Sequence, residues 1–292
     1  MILIFVKKCA KISTENKNNF QEEIMANSWL GLEGKSIIVT GGASGIGYAT
    51  VQELLNDGAY VTVSDIADKA PEFDVSNGKL LYVKTDVSNK ESVDAMIAKV
   101  VETFGTVDVL VNNAGINIPR LLVDEAGKEE LTEAVWDKVM NVNLKGLFFC
   151  SQAAVRVMMK KHSGVVINMS SECGLEGSEG QSVYAASKNA VNALTRSWAK
   201  ELGKKGIRVV GIAPGILEAT GLRTLSYESA LAYTRGITVD DLRAGYSKTS
   251  TIPLNRSGKL SEVANTVAFM ASDRAGYIHG VTLNVAGGKT RG

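Results

Sequence analysis

The sequence predicts a fold of the α/β class, doubly wound around a parallel sheet with helices on both faces, and three observations predict it. From Lys35 onward, short apolar runs alternate with amphipathic stretches of helical length, the pattern of strands buried on both sides and covered by helices. The first apolar run leads straight into a glycine-rich turn, Thr40-Gly41-Gly42-Ala43-Ser44-Gly45-Ile46-Gly47, and a helical stretch follows. No repeat, low-complexity block or shift of composition interrupts the alternation, so one Rossmann-type domain accommodates it.

The elements follow in order. Ser36 to Thr40 is a β-branched run and reads as the first strand; Gly45 to Asp57 is amphipathic and reads as the first helix. Tyr60 to Asp65 is the second strand, Leu80 to Lys84 the third, and Ser92 to Phe104 a helix with apolar positions at helical spacing. Val107 to Val111 is the next strand, Glu129 to Asn141 a helix, and Val165 to Met169 a strand. Val183 to Leu202 is a long helix, Arg208 to Ile212 a strand, Ser261 to Ala271 a helix and Val281 to Val285 the last strand. The least periodic stretch, Glu218 to Ile252, is rich in Thr, Tyr, Ser and Arg. It follows a strand end, where ligands of such sheets bind, and reads as a short helical lid. The domain is placed at residues 25–292. Residues 1–24 are read as an extension, either a flexible tail or a stretch ahead of a start at Met25.

Of 292 residues, 45% are hydrophobic and 22% charged, enough apolar content for a sizeable core. Lysine and arginine number 32 against 31 acidic residues, a net charge of +1. That balance lacks the basic field of a general nucleic-acid or anionic-membrane binder. Cys9, Cys150 and Cys173 are too few and too scattered for a disulfide framework. Reduced thiols and a cytoplasmic location are expected. The two histidines, His162 and His279, lie far apart without a Glu or His at ligand spacing, so no metal site is expected.

Several motifs carry chemistry. In the first strand-turn-helix, glycines let backbone N–H groups approach a diphosphate at the positive end of the helix. Strand two ends in Asp65, whose carboxylate suits the adenosine ribose hydroxyls of NAD and repels a 2′-phosphate; Ser44 and Ile66 offer no compensating cation. Tyr184-Ala185-Ala186-Ser187-Lys188 opens a helix, and the i, i+4 spacing puts phenol and ammonium on one face. A neighbouring ammonium and a cationic nicotinamide ring both favour the phenolate, more strongly in a dry pocket, so Tyr184 can act as a base. Ser171 follows a strand end and can share the reacting oxygen. Asn143 can hold a backbone group or a water reaching Lys188, and Asn112-Asn113-Ala114-Gly115 ends a strand beside the cofactor cleft.

With TGGASGIG (40–47), Asp86-Val87, NNAG (112–115), Asn143, Ser171, YAASK (184–188) and Pro214-Gly215 in this order, the sequence resembles the short-chain dehydrogenase/reductase family. The resemblance implies that Tyr184 is the general acid/base, that Lys188 lowers its pKa and binds the nicotinamide ribose, that Ser171 orients the substrate oxygen and that Asn143 supports a proton relay. It further implies an NAD site built from Gly41, Ser44, Gly45, Ile46, Gly47, Asp65, Asp86, Val87, Asn113, Gly115, Tyr184, Lys188, Pro214 and Gly215. Ala213 stands where many members carry Asn, and Thr220 comes one residue late after Pro-Gly.

Residues 119–125, 174–181, 213–224 and 285–292 resemble members of the family that oxidise sugar-alcohol phosphates in bacterial sugar utilisation. The implied reaction is NAD-dependent oxidation of a secondary alcohol on such a substrate. A dianionic phosphate on a near-neutral protein needs local cations, preferably arginines. Arg120 and Arg223 are the candidates, with Lys289 and Arg291 as a terminus able to reach a neighbouring subunit. Glu176, Glu179 and Gln181 are candidate hydroxyl readers. Alternatives are a dehydrogenase of an unphosphorylated polyol or other carbonyl compound, and an NADH-sensing regulator without catalysis. The resemblance also suggests a homotetramer with the 183–202 helix at an interface, although the apolar positions of that helix suit an internal core equally.

Overall fold

The computed structural model describes residues 29–220, 223–247 and 251–289. The expected extension at residues 1–24, and Arg291, lie outside the described residues. Seven strands form one sheet in the order β3-β2-β1-β4-β5-β6-β7: β1 (Ser36–Thr40), β2 (Tyr60–Asp65), β3 (Lys79–Lys84), β4 (Val109–Asn112), β5 (Gly164–Met169), β6 (Ile207–Pro214) and β7 (Thr282–Val285). Every pairing is parallel. The strand order reverses between β1 and β4, and there a crevice opens at the carboxyl ends of the strands.

Alternate side chains of the strands feed two cores. Ile37 and Val39 of β1 and Val109 and Val111 of β4 pack with α1 (Gly45–Asn56) on one face. Ile38 and Leu110 point the other way, toward α2 (Lys90–Phe104). This period-two alternation with apolar residues on both sides is what a doubly covered sheet requires.

Between β4 and β5, the helix expected over Glu129 to Asn141 starts later and does not stop where expected. It begins as α3 (Glu133–Met140), capped by Thr132, whose hydroxyl accepts from the Val135 amide at 3.3 Å. The preceding residues wrap instead around the Asp124 carboxylate, which accepts from the amides of Ala126, Lys128 and Glu129. At its other end α3 passes through a π-helical turn (Asn141–Gly146) directly into α4 (Leu147–Lys161). The wide turn was invisible in the periodicity because no glycine or proline precedes it.

A short helix α5 (Cys173–Glu176) and the long α6 (Ser182–Leu202) follow β5. Val183, Val191 and Ala199 of α6 are buried, so its apolar positions pack inward. Over the carboxyl end of the sheet, in the expected lid, lie α7 (Leu225–Thr234) and α8 (Val239–Ser247), joined by a small cluster of Leu231, Ala232 and Leu242. Residues 221–222 and 248–250 of that stretch lie outside the described residues. Helix α9 (Leu260–Ala271) then packs beside α1 before the chain enters β7.

Candidate active site

The crevice between β1 and β4 is a cleft of about 760 Å³, within the range of small-molecule sites. Its floor begins at the glycine-rich turn. Gly41 has φ +64°, and a Cβ there would stand 2.9 Å from the Ala114 backbone. A Cβ on Gly47 would meet the Gly41 carbonyl oxygen at 2.0 Å, so only glycine lets α1 dock this closely on the turn. Gly47 itself lies behind the cleft, while Gly41, Ser44, Gly45 and Ile46 line it. Ser44 makes no side-chain cap at the start of α1, leaving the first-turn amides without intrahelical acceptors and facing the cleft. This is an anion cradle at the place where a dinucleotide's diphosphate would sit.

Around it, Asn113 binds the two halves of the crevice together. Its side-chain amide donates to the carbonyls of Thr40 and Gly41, both at 3.0 Å. Asn112 turns away, donating to Ser151 and Asn168 in a buried polar strip. Asp65 lines the cleft, and its carboxylate accepts from the amides of Ala43 at 2.9 Å and Ala67 at 3.1 Å. Each carboxylate oxygen can accept a further bond. Ile66 is exposed beside it and carries no charge. Asp86, Val87, Gly115, Pro214 and Gly215 line the same cleft. Thr220 also lines it, close to Gly45, so the loop after Pro214-Gly215 folds back over the turn despite its two sequence departures. These features fit a nicotinamide dinucleotide.

Ser171, Tyr184 and Lys188 meet in the same cleft. The strand β5 ends at Met169 and delivers Ser171; the first turns of α6 deliver the other two. Lys188 Nζ lies 5.8 Å from the Tyr184 ring centroid and donates to the Met169 carbonyl at 2.8 Å. Burial pushes the Lys188 ammonium down to about 8. It also raises the Tyr184 phenol, with Cys173, Tyr227 and Glu172 adding to the rise and the Ser171 hydrogen bond opposing it. Desolvation is thus the largest influence on the phenol, and the two charges expected to favour its phenolate, the Lys188 ammonium and a cationic nicotinamide ring, would act against it.

Asn143 is buried in the π-turn behind the cleft. Its Oδ1 accepts from the Ile116 amide at 2.8 Å, and its Nδ2 donates to the Ile116 carbonyl and to Ser187 Oγ. It thus holds the backbone after β4. A Cβ on Gly115 would stand 3.3 Å from Asn143 Oδ1 and 3.5 Å from Lys188 Nζ, so Gly115 keeps open the passage between them.

At the outer end of the cleft, the residues expected to face substrate separate. Arg120 lies outside it, paired with Glu129 at 2.6 Å and donating to the Pro119 carbonyl. Arg223 lines the cleft, donates to the Leu217 carbonyl at 2.7 Å and stacks 4.0 Å above the Tyr246 ring. Gln181 lines it and donates to the Tyr227 hydroxyl at 2.8 Å. Glu176 lines it and pairs with Lys289 at 3.3 Å. Glu179 is not among the lining residues. Lys289, expected to reach a neighbouring subunit, instead reaches its own cleft and pairs also with Glu172 at 2.9 Å. Sequence reasoning missed Glu172, Tyr227, Arg235 and Tyr246, all of which line the cleft. Glu172 directly follows Ser171, and adjacency to a candidate residue would have found it. Nothing in the local sequence distinguishes Arg235, which caps the end of α7 before a glycine.

The profile that describes short chain dehydrogenases matches residues 35–230. The sorbitol-6-phosphate 2-dehydrogenase of Klebsiella pneumoniae is 57% identical over 269 residues, covering 91% of this chain and 100% of that protein. A 3-oxoacyl-acyl-carrier-protein reductase of Thermotoga maritima is 38% identical over 262 residues, covering 88% of this chain and 98% of its own length. Among solved structures, the crystal structure of levodione reductase superposes with a TM-score of 0.78 at 31% identity, covering 88% of this chain and 98% of that one.

Proposed function

The chain belongs to the short-chain dehydrogenase family, and from that membership we propose that it interconverts D-sorbitol 6-phosphate and D-fructose 6-phosphate with NAD as its nucleotide. It is an oxidoreductase of a family that uses NAD(H) or NADP(H). One observation carries the reading: Ser171, Tyr184 and Lys188 line one cleft with the Gly41–Gly45 turn, in a chain that over 91% of its length is 57% identical to a sorbitol-6-phosphate 2-dehydrogenase.

The bound nucleotide supplies a hydride acceptor, and its oxidised ring supplies positive charge. The protein's residues do the rest. Ser171 Oγ holds the substrate oxygen. Tyr184 Oη takes the hydroxyl proton in oxidation and returns it in reduction. Lys188, fixed by the Met169 carbonyl, keeps an ammonium beside the phenol and within reach of the nucleotide ribose. Asn143 fixes Ile116 and so the wall of the cleft. Asp65, with no cation at Ser44 or Ile66, favours NAD, because a 2′-phosphate would meet an uncompensated carboxylate.

A homotetramer in the cytoplasm suits this role. No helix among the described residues is long and apolar enough to cross a membrane.

The test is a panel of D-sorbitol 6-phosphate and sorbitol, each with NAD or NADP, followed by reduced-nucleotide absorbance. The expected result is turnover with D-sorbitol 6-phosphate and NAD at a kcat/KM on the order of 100-fold above the other pairs, since a site built around a charged group rejects the analogue lacking it. Equal efficiency on sorbitol contradicts the substrate, and equal efficiency with NADP contradicts the nucleotide.

A further inference from the structure

A phosphorylated substrate needs cations that are free to bind it, and the structure separates cations that are occupied from cations that are not. Arg120 is neutralised by Glu129 outside the cleft. Lys289 enters the cleft but sits between Glu172 and Glu176. Arg243, on α8, is taken by Glu228, the buried carboxylate of α7. Two guanidiniums remain at the outer end of the cleft. Arg223 stacks on Tyr246 and, among the described residues, donates its guanidinium to the Leu217 carbonyl. Arg235 donates to Ser178 Oγ at 3.2 Å. Among the described residues, neither forms an ion pair with a carboxylate. We propose that Arg223 and Arg235, which line the same cleft as Tyr246, form the phosphate subsite of this enzyme and that Arg120 takes no part in it.

The two arginines belong to one neighbourhood. Burial raises the Tyr246 phenol, the charges of Arg223 and Arg235 pull against that rise, and the Glu228 carboxylate, itself paired with Arg243, adds to it. Arg235 acts in the same way on Tyr227, whose hydroxyl accepts from Gln181. Tyr227 in turn acts on Tyr184. Both arginines line the one cleft with Tyr227 and Tyr184, as a phosphate on the same carbon chain as the reacting carbon requires. Two forked, half-buried donors give charge-assisted contacts to a phosphate that lysine would give only as a point charge.

This assignment rests on the substrate reading above, and the test separates the two. The ratio of kcat/KM for D-sorbitol 6-phosphate over sorbitol is measured for the wild type, Arg235→Gln and Arg120→Gln, with NADH binding by fluorescence as the check on folding. The expected ratio falls on the order of 10 to 100-fold in Arg235→Gln, through KM for the phosphorylated substrate. It stays at the wild-type value in Arg120→Gln, and NADH binding persists in both. A wild-type ratio near one removes the substrate reading and the subsite together. A high wild-type ratio that survives Arg235→Gln, or collapses in Arg120→Gln, overturns the subsite alone.

Discussion

Burial acts on Tyr184 and Lys188 in opposite senses, raising the phenol and lowering the ammonium to about 8 from 10.5. Both shifts favour the neutral forms. A charged Lys188 therefore costs the folded state, on the order of 3 kcal/mol at neutral pH. Between pH 8 and 10.5 the unfolded chain binds the proton that the folded chain has released, so stability rises with pH across that window; below it the penalty is fully present. Lys188→Met is expected to unfold at no lower temperature than the wild type at pH 7, to lose the rise above pH 8, and to lose turnover. Thermal unfolding followed across that range checks it, and a variant less stable at pH 7 contradicts it. The i, i+4 spacing of the pair was legible in the sequence. Its electrostatics were not, because the dry surroundings and the Met169 carbonyl come from β5, and spacing carries no information about them. The same holds for Arg120. Its type and its place after the NNAG strand suggested a substrate contact, but the loop around Asp124 brings Glu129 against it.

Among the elements, strand-turn-helix units were legible because their periodicity and glycines are local. Gly47 shows how tightly the first unit is drawn: a Cβ there falls 2.0 Å from the Gly41 carbonyl oxygen and 2.6 Å from Asn113 Nδ2. Gly47→Ala is expected to push α1 off the turn, splay the first-turn amides and weaken NADH binding by on the order of tenfold or more while the sheet still folds. Fluorescence titration with NADH beside a circular-dichroism spectrum checks this, and native affinity contradicts it. The π-turn was illegible for the opposite reason. Asn141–Gly146 continues the apolar pattern of the flanking helices, and what widens it is tertiary: Asn143 bridges to Ile116, and Gly146 presses against Val87. The lid was legible only as a break in periodicity. Its helices are ordered by distant contacts such as Tyr233 on the Asp124 carboxylate, at 3.0 Å.

For the whole molecule, topology follows from the alternation of short buried strands with amphipathic helices, and the reversal of strand order between β1 and β4 places the cleft. Everything proposed for the chemistry converges there: an anion cradle at α1, a carboxylate at the end of β2, and a serine, phenol and amine at the ends of β5 and α6. Burial raises the Tyr184 phenol, so the positive charge of an oxidised nicotinamide ring beside it would favour the phenolate that the reaction needs. The most direct measurement is NADH formation from D-sorbitol 6-phosphate by Tyr184→Phe, paired with its NADH affinity. The account predicts a rate reduced by roughly 10³-fold with nucleotide affinity retained; turnover at the wild-type rate would contradict it.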